Sequence, residues 1–169
     1  MLNQTENFTS VSACDIYTQG AMANHTGSMN EMSINEQLRS MKLAPKPRRY
    51  ESNWSTTRLS EVDCDLASLG ICAELKYQEV PGTADQKGCT ELHNAAETIE
   101  CDDYVLVCSG IHWERPRGAQ LVKFYKRTAD KLNKHPETFC VAAKRLHVMK
   151  RDEFIKFVEQ RKKEKLQNG

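Results

Sequence analysis

The sequence predicts an α/β fold: a mixed sheet with flanking helices, preceded by a disordered N-terminal arm. Three observations carry this reading. From residue 69 onward, strand-like and helix-like segments alternate, the order expected of helices layered on a central sheet. Within that region Tyr104-Val105-Leu106-Val107-Cys108 is an unbroken apolar run between Asp102-Asp103 and Ser109-Gly110, as in a buried central strand. Before about residue 61 the chain is rich in Ser, Thr, Asn, Gln and Met with little apolar periodicity. Residues 1–60 are therefore read as a mostly disordered arm and 61–169 as the domain.

The elements follow in order. Inside the arm, Ser33–Met41 places Ile34, Leu38 and Met41 at helical spacing behind a Ser cap. Leu69–Tyr77 is a strand with Ile71, Ala73, Leu75 and Tyr77 on alternate positions. Glu79-Val80-Pro81-Gly82 breaks it as a turn, because Pro fixes φ and Gly permits positive φ. Thr90–Ile99 reads as a short helix with Leu92, Ala95, Ala96 and Ile99 on one side. Gly118–Leu132 is an amphipathic helix with an inner stripe of Leu121, Phe124, Tyr125, Thr128 and Leu132, ended by His135-Pro136. Thr138–Val148 is a further strand, and Asp152–Leu166 a closing helix with Phe154, Ile155, Phe157 and Val158 apolar.

Composition bounds the function. The chain has 169 residues, 39% hydrophobic and 28% charged, and no apolar run approaches the roughly 18–20 residues of a membrane span. The N-terminus lacks the basic start and apolar core of a signal peptide, so the expected location is cytoplasmic, with the nucleus as an alternative. The net charge of +1 hides an asymmetry: residues 1–110 carry 8 basic and 16 acidic side chains, and residues 111–169 carry 16 basic and 7 acidic. A uniformly basic nucleic-acid coat is excluded. The seven cysteines form no C-x-x-C pair, which argues for reduced thiols and against a zinc site.

Five constellations invite chemistry. Asp63 or Asp65 with Glu74 and Lys76 has the layout of a metal-dependent PD-(D/E)xK nuclease, two carboxylates for a cation and a lysine for the attacking water. The bland alternative is a solvated strand face. Cys108-Ser109-Gly110-Ile111-His112 sets a nucleophile near a histidine without an elbow motif, so Cys108 reads more simply as the buried end of a strand. Arg115-Pro116-Arg117-Gly118-Ala119 opens a helix and offers phosphate donors, although Pro is an ordinary helix starter. Arg161-Lys162-Lys163-Glu164-Lys165 suits a nucleic-acid adaptor or simply complements a helix C-terminus. Glu91, Glu97, Glu100, Asp102 and Asp103 form an acidic belt, either solvated or a docking surface for a basic partner.

From Tyr77 to Phe124 the chain resembles the ornithine decarboxylase antizymes. Tyr77-Gln78-Glu79-Val80-Pro81-Gly82 is similar to the family's Tyr-x-Glu-Ile-Pro-Gly turn. Lys87 stands where a lysine commonly precedes the first helix, and Leu92 and Ala96-Glu97 fit that helix. Asp103-Tyr104-Val105-Leu106-Val107-Cys108 is similar to the Asp-His-Val-Phe-x-Cys strand, and Arg117, Ala119, Leu121 and Phe124 keep the spacing of the next helix. The chain departs from the pattern at Thr83, in the loop from Gly110 to Arg115, and around His135-Pro136, as a divergent, invertebrate-like member would.

The resemblance implies an acetyltransferase-like α/β fold without enzymatic activity, cofactor or metal. It implies binding to the ornithine decarboxylase monomer, loss of the active homodimer, ubiquitin-independent delivery to the proteasome and reduced polyamine uptake. Antizyme inhibitor is a further implied partner, and no membrane or nucleic acid is expected. It also implies synthesis through a +1 ribosomal frameshift, with Cys14-Asp15 a suitable junction. The expected partner-binding residues are Glu79, Lys87, Glu91, Glu97 and Glu100. Lys87 is carried over by family position, and Glu91 and Glu100 are inferred from charge.

Overall fold

A computed structural model describes residues 13–51, 59–82, 84–135 and 143–168. The elements are α1 (Ala13–Ser40), β1 (Lys46–Tyr50), β2 (Ser60–Leu66), β3 (Ile71–Tyr77), α2 (Ala84–Thr98), β4 (Cys101–Ser109), α3 (Pro116–Lys134), β5 (Ala143–Lys150) and α4 (Arg151–Asn168). The five strands form one mixed sheet in the order β1-β2-β3-β4-β5. β1 and β3 run antiparallel to β2, while β3, β4 and β5 are parallel to one another. Parallel neighbours need crossovers, and α2 and α3 supply them.

Two apolar clusters sandwich the sheet. On one face Leu92, Ala95, Ala96 and Ile99 of the α2 segment and Val122, Tyr125, Ala129 and Leu132 of α3 meet Cys72, Tyr104, Leu106 and Leu146. On the other, Ile34 and Leu38 of α1 and Phe154, Ile155 and Val158 of α4 meet Ile71, Ala73, Leu75, Val105 and Val107. Apolar groups thus cover β3 and β4 from both sides, which is why the Tyr104–Cys108 run shows no alternation.

The α/β class and the order of elements after residue 69 agree with the sequence reading, and the short helix read over Ser33–Met41 lies almost wholly within a longer one, α1. Residues 13–51, expected to be mostly disordered, contribute α1 and β1. Ile34 and Leu38 are fully buried, and burying two such side chains is worth roughly 1.5–3 kcal/mol each. This anchors a helix that is otherwise polar and weakly amphipathic. β1 reads as a basic linker because it is an edge strand. Its residues are mostly exposed, and Pro47 sits at the register shift between Lys46 and Arg48, where a missing N–H is tolerated. β2 alternates buried Val62, Cys64 and Leu66 with Glu61, Asp63 and Asp65. The expectations for residues 1–12 and 52–58 lie outside the described residues.

Two helices are shifted. α2 begins at Ala84 rather than Thr90, and its first turns cross α3 closely. A Cβ on Gly88 would lie 2.5 Å from the Tyr125 ring, so glycine permits the approach. The inner stripe of α3 is Gly118, Val122, Tyr125, Ala129 and Leu132. The expected Phe124 is 48% exposed, because Tyr125 is the aromatic that packs against Gly88, and Val122 and Ala129 share its face toward the sheet. Of the strand expected over 138–148, only β5 from Ala143 falls among the described residues.

Candidate functional site

The turn after β3 and the helix that follows it carry most of the expected binding residues. The turn is pinned from beneath. Gln78 N–H donates to the Ser109 carbonyl (2.9 Å), and the Gln78 carbonyl accepts from His112 N–H (3.1 Å). Gly110 makes this contact possible, with φ of +101° and a hypothetical Cβ only 2.4 Å from the Gln78 oxygen. The outer side of the turn is open: Glu79, Val80, Pro81 and Gly82 are exposed, and Val80 is an isolated exposed hydrophobic. Tyr77 Oη donates to Glu79 (2.6 Å), which raises the phenol pKa.

The other expected residues disperse along α2. Lys87 is exposed on the first turns. Glu91, four residues on, lies on the same stripe but is half-buried and ion-paired with Lys76 of β3 at 3.6 Å. Glu97 lies six residues beyond Glu91, roughly 120° around the helix from it. Glu100 follows the helix end, and its backbone carbonyl accepts from Arg48 (3.0 Å). α2 spans 15 residues, about 22 Å, so Glu79 and Glu100 stand at opposite ends of it. The five residues therefore do not make one acidic face. Glu79 and Lys87 share one end, and Glu91 turns inward. Asp103, read as part of the acidic belt, solvated or docking, is 1% exposed and belongs to the interior.

Beneath α2 lies a buried ionic cluster. Glu74 and Lys76 share a face of β3 by the two-residue period and form an ion pair, with Glu91 descending from α2 onto the same ammonium. Asp63 of β2 accepts the Leu75 N–H (2.7 Å) just beyond the β2–β3 ladder. Burial lifts Glu74 to about 7 despite Lys76, with Asp63 and Glu91 adding to the lift. Burial also raises Asp63 and pushes the Tyr50 hydroxyl to about 12, and it raises Glu31 of α1, where the charge of Asp63 adds. Desolvation works against the charge on Lys76, but the surrounding carboxylates outweigh it and hold the ammonium above its ordinary pKa. The Tyr104 hydroxyl, fully buried, has no hydrogen-bond partner among the described residues.

Of the nuclease constellation, Asp63, Glu74 and Lys76 do converge. Asp65 pairs instead with Arg48 at 3.7 Å. Lys76, the residue that would steady a water, is held between two carboxylates. Among the described residues no three Asp, Glu, His or Cys side chains are arranged to hold a metal ion. Through Lys76 and Glu91 the cluster ties α2 to β3.

The remaining constellations take structural places. Cys108 is buried and its thiol is pushed up to about 12 by burial. His112 turns away from it toward Asp85 in the first turn of α2, with Nε2 2.9 Å from Oδ1. That contact is close enough for an ion pair but is not aligned as a hydrogen bond, and both side chains are buried. Arg115 precedes α3 and Pro116 opens it. In the basic C-terminal helix, Lys162 and Lys165 donate to the backbone carbonyls of Met41 and Ser68, while Arg161 reaches Asp103.

Sequence reasoning missed the convergence on Asp103, although the alternation Lys144-Arg145-Leu146-His147 on a strand puts two basic side chains on one face. No family, curated protein or solved structure matches the chain. The antizyme resemblance rests on its short motifs alone. Among the described residues no helix is long and apolar enough to cross a membrane.

Proposed function

We propose that this chain is a non-catalytic regulator that binds ornithine decarboxylase monomers. In this reading it blocks their homodimerisation and promotes ubiquitin-independent degradation by the proteasome, so controlling polyamine synthesis and uptake. The observation that carries the reading is the ordered run of motif residues from Tyr77 to Phe124. They occupy consecutive elements: the β3–α2 turn, α2, β4 and α3. The exposed Glu79–Gly82 turn and Lys87 at one end of α2 give this stretch an accessible edge. The location that goes with the reading is cytoplasmic, with nuclear entry as an extension, and antizyme inhibitor is a competing partner.

The test is direct. Purified full-length protein is mixed with ornithine decarboxylase, and the mixture is followed by size-exclusion chromatography with light scattering and by decarboxylase activity. The expected result is a one-to-one complex, loss of the homodimer and loss of activity, with Lys87→Glu weakening the complex. No complex at micromolar concentrations overturns the reading. Sequencing the transcript around codons 14 and 15 for an in-frame UGA tests the frameshift separately.

The convergence of Asp63, Glu74 and Lys76 is the one observation favouring a metal-dependent nuclease. Mg²⁺- or Mn²⁺-dependent cleavage abolished by Glu74→Ala would establish that alternative in place of the regulator.

A further inference from the structure

Asp103 of β4 is 1% exposed, yet it receives four hydrogen bonds from three basic residues. Arg145 donates from Nε (2.8 Å) and Nη2 (2.9 Å), Arg161 from Nη2 (2.7 Å) and His147 from Nε2 (2.8 Å). The histidine nitrogen is assigned as donor because the carboxylate can only accept. β5 delivers Arg145 directly opposite Asp103 in the parallel register, His147 follows two residues later on the same face, and α4 supplies Arg161.

One carboxylate needs one counter-charge. Here its capacity is exhausted and two guanidinium groups remain oriented by it. Arg145 Nη1 and Arg161 Nε take no hydrogen bond among the described residues. A cavity of about 230 Å³ opens beside them, lined also by His147, Phe157, Gln160, Glu164 and Asp103 itself, whose oxygens are taken up by the basic groups. Its volume leaves room for a small oxyanion with water. Guanidinium groups fixed in place by a buried acid lose little side-chain entropy on binding, which favours oxyanion recognition.

Glu164 shows that these groups donate to a carboxylate. Its carboxylate already takes Arg161 Nη1 (3.1 Å) and Gln160 Nε2 (2.9 Å), from a side chain 41% exposed at the rim. It is an internal anion on the donors that an external one would use.

We propose that this cavity binds a phosphate-sized oxyanion through Arg145, Arg161 and Gln160, displacing the carboxylate of Glu164. The site lies on the sheet face opposite α2, apart from the surface assigned above to a protein partner. It therefore stands or falls independently of that assignment.

The test titrates full-length protein with sodium phosphate by isothermal calorimetry and by ¹H–¹⁵N NMR, against sodium chloride at matched ionic strength. Saturable binding at one equivalent, with shifts at Arg145 and Arg161, is expected. Arg161→Ala should weaken it roughly tenfold or more, the loss of a charge-assisted contact. Glu164→Gln should tighten it about threefold, because the competing exposed carboxylate is gone. Lys163→Ala, on the exposed side of α4, should change nothing. Arg161→Ala also removes a strut from Asp103, so Glu164→Gln, which keeps every bond to Asp103, is the decisive variant. Equal responses to phosphate and chloride overturn the proposal, as does phosphate affinity unchanged in Glu164→Gln or lowered equally by Lys163→Ala.

Discussion

Replacing Glu74 with Gln should stabilise the protein in alkaline solution and do nothing in acid. An ordinary glutamate titrates near 4.5, whereas burial among Asp63 and Glu91 lifts Glu74 to about 7. The folded state therefore holds the Glu74 proton more tightly than the unfolded chain does. The resulting stabilisation is fully present below 4.5 and is lost as the pH rises through about 7. At about 1.4 kcal/mol per pH unit, the ionised carboxylate costs the fold about 3 kcal/mol at pH 8. That is a ceiling, because part of the lift comes from the neighbouring charges of Asp63 and Glu91, and Lys76 works against it. Gln occupies the same volume and carries no charge, while Lys76 keeps Glu91 at 3.6 Å as its counter-ion. Urea unfolding at pH 4 and pH 8 reads the difference. The expected outcome is equal stability at pH 4 and a gain for Glu74→Gln, up to that ceiling, at pH 8. If Glu74→Gln is the less stable protein at pH 8, the ion pair with Lys76 outweighs the desolvation of Glu74 and the reasoning fails.

Other outcomes follow from the same structure. Asp103→Ala should cost about 3–5 kcal/mol in chemical denaturation, since it leaves Arg145, Arg161 and His147 facing one another without their shared acceptor. In the native chain burial would raise Asp103, but His147, Arg145 and Arg161 hold it at about 2. Its contribution to stability is present above the ordinary 3.8 and fades as pH falls through about 2, so acid unfolding of Asp103→Asn should lose that component. Ile34→Ala or Leu38→Ala should each lower stability by about 2–5 kcal/mol, and a neutral result would show that α1 is not part of the core. Gly110→Ala should cost about 2 kcal/mol or more, through its positive φ and its clash with Gln78, as a drop in the thermal midpoint.

Where large apolar residues fall at one period and nothing competes, the sequence was legible. Leu92, Ala95, Ala96 and Ile99 are all buried as read, and so are Phe154, Ile155 and Val158. It misled where size and burial part company. Phe124 is larger than Val122 or Ala129, yet the close crossing sets Tyr125 on Gly88, which turns Val122 and Ala129 inward with it and Phe124 outward. The helical spacing of Ile34 and Leu38 was legible too, but not how far α1 extends before them, since these two buried side chains hold a helix that is otherwise polar. β2 carries a clean alternation, but Asp63 and Asp65 drew attention as chemistry rather than as alternate positions of a strand. Of the candidate binding residues, exposure at Glu79 and Lys87 was readable. The inward turn of Glu91 depends on Lys76 arriving from β3, and the burial of Asp103 depends on the parallel register that sets it against Arg145. Both are pairings between distant parts of the chain, which no local pattern records.

The two faces of the sheet impose different orders of events on a growing chain. The α2–α3 face is closed mainly by helices that lie between the strands they cover, so each can settle soon after it is made. The α1–α4 face joins the two ends of the chain: Arg151 reaches Ser33 and Lys162 reaches Met41, separations of 118 and 121 residues. Until α4 is synthesised, Ile71, Ala73, Leu75, Val105 and Val107 lack the cover of Phe154, Ile155 and Val158. A ribosome-bound or C-terminally truncated chain therefore presents a sticky apolar sheet to chaperones, proteases and other nascent chains, and α4 is the latch whose arrival ends that exposure.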